Sequence, residues 1–412
     1  MVPRPCLIGI LLPLTLVAQE ISPPDLSALE REALAGYPGL EELRFKVFEA
    51  ERLLPAAAAL PDPMVELDLT LARFPRWTLG KEEMSMAGFS LQQALGNAKT
   101  RHARQLVAKA TAQVARAELA ALRALVLLRL RQTYAQLYRL DQELAILEEA
   151  SKLFSTLEGA AHARYMAGLT HQESVIRVLV QSVRLAEQRA DLQRERRQVA
   201  AALDRWVGKR QGSTLAVVSQ LPKVELDPTW SERALHQAPT VQVAEAEVAA
   251  AAEEVGLAEA ERRPNLFLSG GLASRGSFGP VARLALGLEW PAWRQQKQDL
   301  QLVAARLRLK AAQAKLQRVR GEVEEEVQRT AAAWQVAQAQ EARYRHELVP
   351  LAEAALAAAQ TAFTAGQVDF SAVLEDFNLW LEARAGLIRR QAELFALWAE
   401  ARYFSGDHGG DG

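Results

Sequence analysis

Along most of this chain apolar side chains recur at alternating steps of three and four residues, the period of an amphipathic helix. Neither Gly nor Pro occurs from Ala98 to Glu158. As one helix this 61-residue run would be roughly 90 Å long, too long for a globular core to cover. It must therefore lie along other long helices. Val107, Ala110, Val114, Ala117, Ala121, Ala124 and Leu128 form the coiled-coil seam, and the alanines allow close approach of a neighbour. Further helices are predicted over about Gln172–Trp206, Thr240–Arg262, Arg294–Thr364 and Ser371–Phe404.

Four stretches alternate with period two instead. Val65, Leu67, Leu69 and Leu71 are separated by Glu66, Asp68 and Thr70, and Leu284, Leu286, Leu288 and Trp290 by Ala285, Gly287 and Glu289. Their weaker partners, Met84–Gln92 and Asn265–Arg275, are joined to them through Phe74–Glu83 and Gly276–Pro280. Two hairpins result, at about 64–92 and 265–290. Gly270-Gly271 inside the third stretch reads as a bulge or bend. One apolar and one polar or small face is the pattern of a barrel wall between lipid and water. It is equally the pattern of a sheet resting on helices. In the barrel reading Glu66, Asp68 and Thr70 face water, and Val65, Leu67, Leu69 and Leu71 face lipid.

The beginning of the chain favours the membrane. Arg4 precedes the apolar run Leu7–Ala18, and Pro23-Pro24 follows it, which predicts a cleavable export signal over about residues 1–19. Cys6 lies at the start of that run rather than just after it, so lipid attachment is not expected. No later run is long and apolar enough for a membrane helix, but an exported protein can still cross as a closed β-barrel.

The chain also resembles itself. Ala33-Leu34, Pro38, Val47, Ala50 and Pro63 recur 201 positions later as Ala234-Leu235, Pro239, Val248, Ala251 and Pro264. Arg164-Tyr165-Met166-Ala167-Gly168 corresponds to Ala362-Phe363-Thr364-Ala365-Gly366, 198 positions later. A first repeat over 20–212, a second over 213–404 and a disordered tail over 405–412 are expected. Each repeat runs short helix, hairpin, long helix, Ala-Gly turn, helix. Four strands cannot close a barrel, so several chains must share one.

Composition removes other classes. Lys plus Arg is 49 against 50 for Asp plus Glu, so nothing electrostatic points to nucleic acid. One cysteine excludes a disulfide framework. None of the six histidines stands three or four residues from another, and no HExxH, GxSxG, P-loop or dinucleotide fingerprint occurs. Met64, Met84 and Met86 read as flexible filler rather than copper ligands. No catalytic residue, cofactor, metal site or enzymatic activity is expected.

The ordered motifs resemble the TolC-like outer-membrane efflux channels. The likeness rests on Arg263-Pro264-Asn265-Leu266 opening a hairpin and Leu286-Gly287-Leu288-Glu289-Trp290-Pro291 leaving it. It rests equally on Leu348-Val349-Pro350, followed by Thr361 to Phe370 (TAFTAGQVDF) and Val373-Leu374. The resemblance implies a mostly α fold with a small β part: a homotrimer with a long α-barrel and a shared twelve-stranded transmembrane β-barrel. It further implies a passive conduit in the outer membrane that reaches into the periplasm and works with a periplasmic adaptor and an inner-membrane transporter. By the same resemblance Ala167, Gly168, Leu169 and Thr170, and Ala365, Gly366, Gln367 and Val368, are the periplasmic tips that meet the adaptor. Glu375, with adjacent Asp376, matches an acidic gate position, whereas Ala372 departs from a second acidic position. A periplasmic adaptor lacks such a duplication, a soluble coiled-coil scaffold lacks a reason for the strands, and a protein-secretion channel would share the fold.

Overall fold

The computed structural model describes residues 25–168, 172–208 and 216–406. The expected export signal, Leu169, Thr170 and positions 407–412 of the tail lie outside these residues. The chain runs α1 (Leu26–Gly36), α2 (Pro38–Ala58), β1 (Met64–Thr70), β2 (Met86–Gly96), α3 (Ala98–Met166) and α4 (Gln172–Val207). It continues with α5 (Trp230–Gln237), α6 (Pro239–Ala260), β3 (Asn265–Ser274), β4 (Pro280–Glu289), α7 (Gln298–Arg343), a π-helical turn (Tyr344–Leu348), α8 (Val349–Thr364) and α9 (Phe370–Phe404). Two helices therefore precede each hairpin, rather than the single short helix expected.

The longest helix, α3, has 69 residues and passes straight through Gly159 instead of stopping before it. A mid-helix glycine costs about 1 kcal/mol relative to alanine. Leu157 and Ala161 on either side are buried in the core and offset that cost. None of the seven seam residues of α3 is exposed. Helix α3 lies between α2 and α6 near the sheet and between α4 and α9 farther down. The helix expected over Arg294–Thr364 is interrupted by its π turn. Pro350 has no N–H to give to residue 346, and an α-helical carbonyl there would meet its ring. The wider turn just before it relieves that conflict.

Ionic contacts pin the middle of the bundle. Buried Asp141 on α3 accepts hydrogen bonds from Arg196 on α4 and, at 2.9 Å, from the Val218 N–H of the segment before α5. Two residues on, buried Glu143 takes Arg139 at 3.0 Å and Arg389 of α9 at 2.9 Å. Each carboxylate loses water but gains two charged or oriented donors, the condition for a stable buried charge. Farther from the sheet, Phe154, Phe363, Phe370 and Phe377 form an aromatic core where α3, α8 and α9 meet.

The strands form one antiparallel sheet in the order β1-β2-β3-β4. Gly270 and Gly271 sit opposite Leu284 and Arg283 in an unbroken register, so the expected bulge is not there; it lies at Ala94/Gly96 of β2. The glycines serve a different purpose. A Cβ on Gly271 would lie 2.8 Å from the Phe89 carbonyl oxygen, and one on Gly88 would lie 2.5 Å from that of Leu272. Strands β2 and β3 approach too closely for a side chain at either place. Gly88→Val should therefore cost about 1–3 kcal/mol through strand separation. A thermal melt of the detergent-solubilised protein reads it, and an unchanged midpoint would count against the close approach.

Candidate functional site

The register sorts every strand residue by face. Val65, Leu67 and Leu69 of β1 sit in rows with Leu91, Phe89 and Ala87 of β2. Those rows continue through Leu272 and Gly270 of β3 to Leu284 of β4, while Leu266 and Leu268 stand opposite Leu288 and Leu286. Nearly every large aliphatic side chain of the sheet thus lies on one face. Nothing in the protomer covers that face: Leu67 is 83% and Leu284 80% exposed. The opposite face carries Glu66, Asp68, Thr70, Ser90, Gln92, Ser269 and Arg283, with Gly88, Gly271, Ala273 and Gly287, and only Met64, Met86, Phe267 and Val281 as larger apolar residues. The sheet does not rest its apolar face on helices, and an uncovered apolar face of this extent marks contact with lipid or protein.

Two expected wall residues fall outside the strands. Leu71 lies beyond β1, because the following N–H, that of Ala72, is taken by Ser85 Oγ at 2.9 Å instead of a β2 carbonyl. Trp290 lies beyond β4, because Pro291 cannot donate to a ladder and holds the residue before it out of register. Trp290 is nevertheless well exposed, as is Trp293. Met84, expected inside the second strand, precedes β2, which begins at Met86.

The two Ala-Gly turns lie at the far end of the helices. In the second, Gly366 has φ 75° and donates to the Phe363 carbonyl at 3.0 Å, while Gln367 N–H reaches the Ala362 carbonyl at 2.9 Å. This paired bonding ends a helix through a left-handed glycine. The first turn matches it at Gly168, with φ 69° and a 2.9 Å bond to the Tyr165 carbonyl. Ala167, Gly168, Ala365, Gly366 and Gln367 are exposed and Val368 is half-buried. One residue the sequence reading missed ties the turns together. Arg164 Nη1 donates to the Phe363 carbonyl at 2.9 Å, and its guanidinium lies 5.1 Å from the Phe363 ring centre. Its counterpart in the second repeat is Ala362, and that asymmetry was the available signal.

Glu375 is exposed and Asp376 half-buried in the second turn of α9, and neither makes a hydrogen bond or ion pair among the described residues. No group of three or more potential metal ligands occurs among the described residues. Nor is any helix there long and apolar enough to cross a membrane.

Residues 230–398 match the model of the Outer membrane efflux protein family. Among solved structures, the outer-membrane channel OprN superposes with a TM-score of 0.79 at 19% identity, covering 93% of this chain and 91% of that one. The outer membrane protein VceC of Vibrio cholerae gives 0.78 at 20% identity, covering 92% and 96%. The MtrE outer membrane channel of Neisseria gonorrhoeae in its open state gives 0.71 at 16% identity, covering 94% and 89%. No curated protein is significantly similar in sequence. The fold is that of the outer-membrane channels, mostly helical with a small antiparallel sheet. The resemblance to TolC-like efflux channels stands on that fold and on the family match through the second half. The matched family and folds are those of channels, passive conduits of the outer membrane rather than enzymes.

Proposed function

We propose that this protein is the outer-membrane channel of a tripartite efflux system, a homotrimer conducting small molecules or metal ions to the outside. The observation that carries the proposal is the sheet: one largely apolar, uncovered face and two open edges, β1 and β4. In lipid an open edge leaves unpaired N–H and C=O groups, each costing several kcal/mol by order of magnitude. Pairing β4 of one copy with β1 of the next removes every edge, and three copies make twelve strands. The helices support the same seam. Contacts run α2–α3–α6–α7 near the sheet and α4–α3–α9–α8 below it, leaving α2 and α4 at one edge and α7 with α8 at the other. Those edge helices carry exposed apolar stripes: Phe45 and Phe48 on α2, Ile176, Leu179 and Val183 on α4, Leu300, Val303 and Leu307 on α7. Such unlike edges form a heterologous contact that closes into a ring.

In this assembly the turns around Gly168 and Gly366 form the periplasmic end and receive the adaptor of an inner-membrane transporter. Three Glu375 carboxylates, supported by Asp376, surround the throat and favour cations. Replacing Glu375 by Gln should lower the cation preference several-fold in reversal-potential measurements without changing the trimer. An unaltered reversal potential would remove Glu375 from the throat.

The test of the function itself is to purify the full chain from outer membranes and measure its mass and conductance. A trimer by light scattering that forms ohmic channels in planar bilayers is expected. A monomer released without detergent from the periplasm would overturn the proposal.

A further inference from the structure

The connection from β1 to β2 displays an exposed surface of rings and cations at the end of the sheet away from the helices. Its interior is pinned. Thr78 and Ser85 are buried and their hydroxyls lie 2.6 Å apart. The connection of the second hairpin fastens onto it: Ser277 Oγ donates to the Gly80 carbonyl at 2.9 Å, and a Cβ on Gly276 would lie 2.4 Å from Gly80 Cα. Against that fixed base Phe74 is 85% and Trp77 62% exposed. They belong to the stretch Arg73-Phe74-Pro75-Arg76-Trp77. Arg73 has only a 3.5 Å contact to Glu82. The Arg76 and Lys81 side chains make no hydrogen bond or ion pair among the described residues. Residues 71–85 and 275–279 together hold four cations and two carboxylates, an excess of two positive charges per protomer.

Solvent gives two large rings no reason to stand open, and the unpaired Arg76 guanidinium between them, with Arg73 held only weakly by Glu82, calls for an anion. Both conditions are met where a membrane's acyl region gives way to anionic headgroups, the level at which aromatic side chains of membrane barrels collect. The rings also follow directly on the apolar face of β1. We propose that this loop docks the phosphorylated headgroup of the outer-leaflet glycolipid, of the lipid A type. Phe74 and Trp77 enter the boundary between acyl chains and sugar, while Arg73 and Arg76 bind the phosphates, which a planar guanidinium grips through two parallel hydrogen bonds. The inference rests on the outer-membrane reading above, which puts this end of the sheet outside the cell.

The test titrates the full-length channel in detergent with bisphosphorylated lipid A, with lipid A stripped of its phosphates, and with phosphatidylglycerol. Native mass spectrometry reads the complexes. The bisphosphorylated form should bind about tenfold more tightly than either other lipid, and the R73Q/R76Q variant should lose that margin. F74A/W77A should weaken both lipid A forms alike. Unchanged melting and conductance of each variant would establish that it is folded. Equal binding of dephosphorylated lipid A or of phosphatidylglycerol would overturn the inference. So would a glutamine variant that keeps the full preference and changes only anion selectivity, which would place the cations at the channel mouth. Normal channels without lipid preference would sink this inference alone, whereas a chain that forms no channels would take the outer-membrane reading with it.

Discussion

Leu67→Arg is expected to abolish assembly in the outer membrane. Leu67 lies in the middle of β1, in one row with Phe89 and Leu272, on the face that nothing in the protomer covers. An arginine on a lipid-facing strand costs about 2–4 kcal/mol near the midplane. The proposed trimer carries the substitution three times, so the summed penalty is of the order of a domain's whole stability. Asp68→Arg is one residue away on the opposite face and meets water in the same assembly. It should assemble normally and shift ion selectivity toward anions. Heat-modifiable migration of the outer-membrane fraction reads assembly, and reversal potential reads selectivity. If Leu67→Arg assembled while Asp68→Arg did not, the faces would be reversed and the sheet could not line a water-filled barrel. The same logic applies to Leu69 and Thr70, neighbours on the same two faces.

The second large effect lies near the other end. Phe377→Ala should loosen the end of the bundle, at a cost of about 3–5 kcal/mol. Phe377 is fully buried, with its ring 5.2 Å from that of Phe154 and 5.9 Å from that of Trp380. Phe154 in turn touches Phe370, which touches Phe363 just before the Gly366 turn. Removing the central ring leaves a cavity between α3 and α9 that the long helices cannot collapse around. Faster proteolysis at the two turns and a higher resting conductance are expected, with the trimer still formed through the sheet. An unchanged cleavage rate and conductance would show that the aromatic core does not hold the turns.

Parts of this molecule were legible in the chain for a simple reason. Helical and strand periodicities are local, and a seam such as Val107 to Leu128 or the alternation of Val65, Leu67 and Leu69 declares itself within a dozen residues. The faces of the sheet were likewise legible, because a residue's face follows from its parity along the strand. The Ala-Gly turns were legible because only glycine takes a positive φ cheaply at a helix end. Element ends were less so. The Gly- and Pro-free run ends at Glu158, and the glycine that follows costs helix stability locally, while burial of Leu157 and Ala161 by other elements carries the helix through Gly159. Leu71 and Trp290 continued the alternation, but a hydroxyl at Ser85 and the ring of Pro291 ended the ladder.

What the sequence determined by itself was the kind of element, its stripe or face, and the repeated succession of motifs. Only the tertiary structure decided that β2 pairs with β3 across the two halves, and that Gly88 and Gly271 exist for the closeness of that pairing. It alone placed Arg164 on the second turn and brought Ser277 to Gly80, closing a loop that leaves Phe74 and Trp77 in the open. These contacts join residues nearly two hundred positions apart. No local period encodes them, because they depend on where long helices and paired strands bring distant backbone together.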